Sequence, residues 1–433
     1  MLKSLCILLT TVITSLYFFP FNCTFLPGIN TKMMVAAGGL IVLLFNLAKG
    51  RVAQMEKGFS VLSLIAIVVS LIGFVSVTYN NTPDYTYATY IVSMWVWLGG
   101  AYAVIHLMKA VHGCVSVRTV CNYLIGVCSL QCIIAFAMGL SEPLKAFVDG
   151  FLASEGFMGK VEDRLYGIGA SLDVGGMRFA TVLCMIAYLS VNVQKKLPVY
   201  MNIGYVVAFL LISVVGNMIG RTTTVGIAVA LIYWLGIGLF SKQEHRQNLL
   251  LFSSYFVVCL VIFTSIVVYL YYTNSVVHSN IRFAFEGFFS LWEKGRWETN
   301  SNEILKSMYV FPDNLKTWII GDGYFGNPVD TDPYYTGVQW KGFYQNTDVG
   351  YLRFIFYFGL LGMVSFVYFM YKAARVCMEH FYAYKMLFAL ILLMNYIVWF
   401  KVSSDLFLVL ALFLCLPQEQ SKTLQLRGVS QTL

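Results

Sequence analysis

Residues 215–234 read VGNMIGRTTTVGIAVALIYW, with an arginine set between two apolar runs. A guanidinium stays ionised at any biological pH, and no acid follows Arg221 before Glu244. Two runs of this kind, separated by a charged turn, are how a chain crosses a membrane twice. Runs of about 20 apolar residues, enough to cross about 30 Å of hydrocarbon as a helix, recur through the whole sequence.

Composition agrees with that reading. Of 433 residues, 59% are hydrophobic and 12% charged, with a mean hydropathy of +0.73. A soluble domain carries about 25% charged residues. The fold class is therefore an all-α polytopic membrane protein. The net charge of +8 calls for no nucleic-acid partner, because basic loops on the cytoplasmic side absorb the excess.

About 12 transmembrane helices are expected, near 4–21, 32–48, 59–79, 86–108, 115–139, 176–193, 198–217, 222–240, 248–272, 349–371, 382–400 and 402–417. The chain divides into 1–140 with spans 1–5, a first long periplasmic loop at 141–175, and 176–272 with spans 6–9. A large periplasmic loop at 273–347, spans 10–12 at 348–417 and a cytoplasmic tail at 418–433 follow. With the N-terminus cytoplasmic, the inner loops hold Lys49, Arg51 and Lys57; Lys109 and Arg118; Lys195 and Lys196; Lys242 and Arg246; and Lys372 and Arg375. The tail adds Lys422 and Arg427, whereas the short outer loops hold only Lys32, Arg221 and Lys401. The positive-inside rule then places both termini in the cytoplasm. The first span lacks a small-residue cleavage site and reads as retained.

Loops as long as 141–175 and 273–347 are usually functional. FAFEGFFSLWEKGRW (283–297) alternates aromatic and charged residues at helical spacing, suited to the membrane interface. PDNLKTWIIGDGYFGNP and DTDPYYTGVQWKGFYQN are rich in turn-forming residues. No internal repeat relates the two halves, which counts against a duplicated transporter. Among the cysteines, only Cys23 lies clearly outside the spans, so no disulfide framework is implied. Of five histidines only His278 is on the outer side, without a second metal ligand at suitable spacing. Asp330 and Asp332 in VDTDP spell an Asp-x-Asp, but flanking prolines favour surface turn acids over a metal site.

Four arginines stand out. Arg178 opens span 6, Arg221 follows span 7, Arg282 begins the large loop and Arg353 lies just inside span 10. All four are expected at one depth near the outer interface, where cations are costly and by default functional. Planar guanidiniums hold phosphate oxygens bidentately, so these residues suit an anion site. Taken singly, each could snorkel to lipid headgroups.

TWIIGDGYFGNP (317–328) and GFYQNTDVGYLRFIFYFGLLGMVSF (342–366) resemble the C-terminal signature of bacterial O-antigen and capsular polysaccharide polymerases, the Wzy type. IGRTTTVGIAVALIYW resembles that family's arginine-containing turn, and LYGIGASLDVGGMRFA its earlier outer-loop element. The resemblance covers about 165 to 365 in pieces and implies an enzyme at the outer face of the bacterial inner membrane. Its substrates would be undecaprenyl-diphosphate-linked oligosaccharides, one as donor and one as acceptor. The reducing-end sugar of the donor would pass to the non-reducing end of the acceptor, with lipid diphosphate leaving and no cofactor or metal. A chain-length-regulating membrane protein is a further expected partner.

On this reading Arg221, with Arg178, Arg282 and Arg353, would hold the diphosphate. Asp348 would be the catalytic base, with helix capping as its plain alternative. Tyr344, Tyr351 and Trp340, with Tyr334 and Tyr335 nearby, would stack on sugars. Related ligases, which move finished glycan onto lipid A core, place a histidine in the matching element. YQNTDVGY has none, which favours the polymerase. A flippase for the same glycan is the other alternative. The absence of an ionisable residue deep in a span is expected to count against it.

Overall fold

The computed structural model describes residues 2–24, 26, 28–49, 56–152, 164–192, 197–337 and 342–417. Expectations for Arg51, Lys195, Lys196, Trp340 and the tail 418–433 lie outside the described residues, as does the side chain of Lys57. The first five long helices are α1 (Leu2–Phe18), α2 (Thr31–Ala48), α3 (Glu56–Asn80), α4 (Tyr90–His112) and α5 (Val117–Leu140). A short α6 (Glu142–Asp149) precedes α7 (Leu172–Val191), α8 (Val199–Ile219), α9 (Thr223–Phe240) and α10 (Gln243–Thr273). The long loop holds α11 (Ser275–Ala284), α12 (Glu286–Lys294), α13 (Asn300–Ser307) and α14 (Leu315–Ile319). The chain then forms α15 (Gly350–His380), α16 (Lys385–Val398) and α17 (Phe407–Leu414). Among the described residues there is no strand, only three isolated bridges.

Eight described helices are long and apolar enough to cross a membrane. Three more apolar helices are shorter: Leu2–Phe18, Thr31–Asn46 and Tyr382–Val398. The twelfth expected span is not a crossing by itself: α17 has 8 residues, about 12 Å of helix. Burial sorts the spans. In α7, 94% of the span window is inside the bundle, against 6% in α10. The central helix is therefore surrounded by protein, while α10 packs one face against α7, α8 and α9 and leaves the other exposed.

The connections alternate between two ends of the bundle, and both long segments fall at the same end. The first is tied to the turn after α1, where Thr24 N–H donates to Phe151 O at 3.2 Å and Cys23 bridges Leu152. The second reaches that end through Thr82, whose hydroxyl donates to Gly323 O at 2.9 Å.

Helix α15 is two helices joined at a break. Phe358 and Gly359 leave helical geometry, Gly359 with φ +67°. The Phe354 and Phe366 rings lie 5.2 Å apart, although the intervening residues would span about 18 Å of straight helix. The segment before the break thus folds back along the one after it. Carbonyls freed by the break need partners. Asp322 N–H donates to Phe356 O at 2.6 Å, Gly323 N–H to Tyr357 O at 3.0 Å, and the Ser76 hydroxyl to Tyr357 O at 2.7 Å. A Cβ on Gly359 would lie 2.1 Å from Ile319 O, so this close approach requires glycine. IIGDGYFG is the strip that caps the broken helix.

Because α15 folds back, its start meets the turn after α16. Tyr351 N–H donates to Trp399 O at 3.2 Å, and Gly350 abuts Val402. Helix α16 has 14 residues, about 21 Å, so the turn 399–406 stays below the level a full span would reach. Residues 348–353 and 401–405 are brought together beside α7.

Candidate functional site

The site is founded on close contact between α7 and the α8–α9 turn. A Cβ on Gly220 would lie 2.2 Å from Leu172 O, and one on Gly226 would lie 2.3 Å from Ala180 Cα. Small residues let helices in a membrane approach this closely. The approach places Thr222 against Asp173, to whose Oδ1 its hydroxyl donates at 2.6 Å. Lys401, from the turn after α16, donates to the same oxygen at 2.7 Å. Three separate stretches thereby share one carboxylate.

Arg221, next in the chain, points into the long loop. It forms an ion pair with Glu286 and a hydrogen bond to the Ser301 hydroxyl. Its guanidinium carbon lies 4.4 Å from the Phe283 ring centroid, and that of Arg164 lies 4.7 Å from the same ring. Arg164 has no salt-bridge partner among the described residues. Burial pulls its guanidinium down from its ordinary value; Asp173 opposes that and Arg221 adds to it. One ring therefore carries two cations in a partly desolvated setting.

These groups line a cavity of about 1120 Å³ at the loop end of the bundle, together with His278, Arg282, Asp348 and Lys401. Most of its charges are paired: Arg282 with Glu293 at 2.9 Å, Lys401 with Asp173, and Asp348 with Arg353 at 3.6 Å. An anion entering there would compete for guanidiniums already held in place, and it would relieve Arg164 most. His278 offers a different chemistry. Its Nδ1 lies 3.3 Å from Tyr271 O, and its ring stacks on the Tyr271 ring at 4.2 Å. A carbonyl only accepts, so in the neutral ring Nδ1 carries the proton and Nε2 keeps its lone pair.

Only part of the arginine set comes together. Arg221 and Arg282 line the cavity, whereas Arg178 and Arg353 do not. Arg353 is 8% exposed, its guanidinium between the Phe325 and Phe343 rings at 3.6 and 4.5 Å. It donates to Ser403 Oγ and Phe325 O, each at 2.9 Å, and so joins the fold-back to the loop. Arg178 is buried in the second turn of α7, 5.5 Å from the Phe19 ring, with no hydrogen-bond partner at Nε. The expectation of one shared depth fails because α7 carries Arg178 down into the bundle. Glu286, far along the sequence on α12, supplies the partner that the residues following Arg221 do not offer.

The aromatic residues also divide. Tyr344 is 3% exposed and donates to Asp322 Oδ2 at 3.1 Å; Tyr351 donates to Tyr396 O at 3.0 Å. Tyr334 donates to Asn80 Oδ1 at 2.9 Å, and Tyr335 N–H bonds Asp332 O at 3.0 Å. None of the four lines the cavity: Tyr334, Tyr335 and Tyr344 build the loop, and Tyr351 joins α15 to α16. Asp332 accepts from Tyr334 N–H at 2.8 Å, the turn-closing role expected of it. Asp348 does line the cavity, and the N-cap of α15 is Val349, without a side-chain cap.

Sequence reasoning missed Arg164, Lys401, Phe283 and Glu286 and weighed His278 only as a metal ligand. Lys401 carried the clearest signal, as one of three cations in the short outer turns. A further ionisable group was missed as well. Asp405, on the turn before α17, accepts from Phe407 N–H at 2.9 Å and faces the fields of Lys32 and Arg178.

Compared with known proteins, the chain matches no family model, no curated protein and no solved structure.

Proposed function

We propose that the chain is a metal-independent polysaccharide polymerase that joins undecaprenyl-diphosphate-linked repeat units at the outer face of a bacterial inner membrane. The observation that carries this reading is the Phe283 ring bearing the guanidiniums of Arg221 and Arg164 on the wall of a large cavity at the loop end of a membrane bundle. A diphosphate bound there would neutralise Arg164, which has no salt-bridge partner among the described residues, and compete with Glu286 for Arg221. In the transfer, the bond from the donor's anomeric carbon to the diphosphate oxygen breaks, and its electron pair leaves with the lipid diphosphate. A new bond forms from that carbon to the acceptor hydroxyl oxygen. Guanidiniums fixed by Glu286 and Phe283 stabilise the charge that develops on the leaving group.

The acceptor proton needs a base. Two cavity groups can take it, Asp348 and His278. Asp348 shares its carboxylate with Arg353, whereas Nε2 of His278 keeps an open lone pair. We assign the proton to His278. Purified protein in vesicles, given an undecaprenyl-diphosphate-linked oligosaccharide, should yield a ladder of multiples and release undecaprenyl diphosphate. No elongation by folded, inserted protein overturns the reading. Transfer to lipid A core alone would identify a ligase.

The flippase reading gains from a separate observation, the buried Arg178 together with Asp405 and Lys32. A buried ionisable group such as Arg178 is what a coupled transporter uses. Glycan crossing the bilayer in protein vesicles without elongation would establish that reading instead.

A further inference from the structure

Helix α12 has two faces that meet different surroundings. Glu286, Phe289, Ser290 and Glu293 line the cavity. Phe288, Leu291 and Trp292, at helical spacing on the other side, are 57%, 49% and 89% exposed. The level of this helix is fixed by α10. The Tyr271 ring, in the last turn of α10, stacks on Phe289 at 6.1 Å and 11°.

Residues 249–273 of α10 contain no Asp, Glu, Lys or Arg. They extend about 37 Å, so α10 crosses about 30 Å of hydrocarbon and ends at its edge. Its exposed residues include Val257, Val261 and Ile266 along the crossing and Tyr269 and Tyr272 at the loop end. Aromatic side chains of this kind collect at the headgroup level. The apolar face of α12 therefore continues the lipid-facing surface of α10 at the depth where α10 leaves the hydrocarbon. Lys294 and Arg296, with side chains 59% and 71% exposed, stand at the end of that face.

We propose that α12 lies in the lipid–water interface of the leaflet at the loop end, with Phe288, Leu291 and Trp292 sunk among the acyl chains just below the phosphates. The occupant of this face is phospholipid. Because Glu286 and Glu293 on the opposite face hold Arg221 and Arg282, lipid contact sets the height of both guanidiniums. The cavity wall is thus positioned by the membrane, and its arginines stand at the level of lipid phosphates. This inference rests on the membrane assignment and is independent of the reaction.

The test is a depth measurement. A bimane label is placed at Trp292→Cys and, as an aqueous reference, at Lys306→Cys, both with the exposed Cys114 replaced by Ser. Each protein is reconstituted in phosphatidylcholine–phosphatidylglycerol vesicles carrying nitroxide lipids. The label at 292 should be quenched at least twofold more by nitroxide near the headgroup than by nitroxide at the chain end. Its iodide quenching should be less than half that at 306. Equal iodide quenching at both sites without lipid quenching overturns the proposal, as does stronger quenching from the chain end. In a second measurement, Phe288→Glu with Trp292→Glu should speed tryptic cleavage at Lys294 and Arg296 in vesicles several-fold. An unchanged cleavage rate in the inserted double variant counts equally against it.

Discussion

The long loop contains two halves, both rich in aromatic and charged residues, that do different work. Residues 275–307 form three helices whose inner faces meet Arg221, Arg164 and the cavity, while the outer face of α12 is left open. The described residues of 308–347 contribute Met308 to that wall, and their polar groups serve the fold: Asp322 and Gly323 cap the break in α15, and Lys316 donates to Asp322 Oδ1 at 2.6 Å. Thr317 and Tyr344 complete the bonds to the same carboxylate. The first half is built around charges that a ligand can compete for. The second spends its polar groups on its own chain. Aromatic and charged residues mark function only when their partners are exchangeable, and in the loop's second half they are not.

That contrast predicts which changes remove the protein and which remove its activity. The largest effect belongs to the second half. Gly359→Ala puts a Cβ 2.1 Å from Ile319 O in a backbone conformation that disfavours a side chain. The strip cannot then close over the break, and the amount of monodisperse protein extracted from membranes should fall by an order of magnitude. A normal yield would mean that the break tolerates a side chain, and the distinction between the halves would weaken.

Arg221→Ala tests the first half. Under the proposed polymerase function, losing a charged donor at a developing oxyanion costs on the order of 100-fold or more in rate, so polymer should disappear from the glycan ladder while the protein remains inserted. Glu286 loses its partner in this variant, and Glu286→Gln is the control for that loss. The glutamine variant should keep most of the polymer, since Phe283 still supports the guanidinium. Equal loss in both variants would make Arg221 a structural partner only. Arg221→Lys should restore part of the activity, because an ammonium keeps charge without the bidentate fork.

His278→Gln sharpens the comparison further. General base catalysis contributes about 100-fold or more, and only the neutral ring can accept a proton. On the proposed reading the glutamine variant should therefore lose about that factor in transfer rate while the protein stays inserted. Asp348→Asn should cost less, because Arg353 keeps Ser403 and the Phe325 carbonyl as acceptors. If the asparagine variant is the more damaged of the two, the proton belongs to Asp348.

The smallest effect is expected at Tyr351→Phe. It removes one hydrogen bond to Tyr396 O, worth about 1 kcal/mol. A small drop in thermal midpoint with an unchanged ladder is the expected result. A shortened ladder would return Tyr351 to the sugar site.

The sequence by itself determined the class of the protein, the existence of most spans and the place of the long loop between α10 and α15. Those follow from local quantities: a helix must carry about 20 apolar residues to cross hydrocarbon, and that count is visible in one dimension. It also marked Arg221, because a cation between apolar runs stands out locally. What it could not supply was any pairing. Glu286 meets Arg221, Lys401 meets Asp173, and Arg164 meets Phe283 across long stretches of chain. Residue spacing along one helix carries no information about them. The same limit hid the fate of Arg178 and Arg353, since a guanidinium near a span end reads alike whether it faces a cavity or a core. Only the fold-back at Gly359 and the short α16 bring 348–353 and 401–405 to one depth, and only helix packing turns Arg178 inward. Span identity is set by transfer from water, which acts residue by residue, whereas the site is set by which surfaces meet.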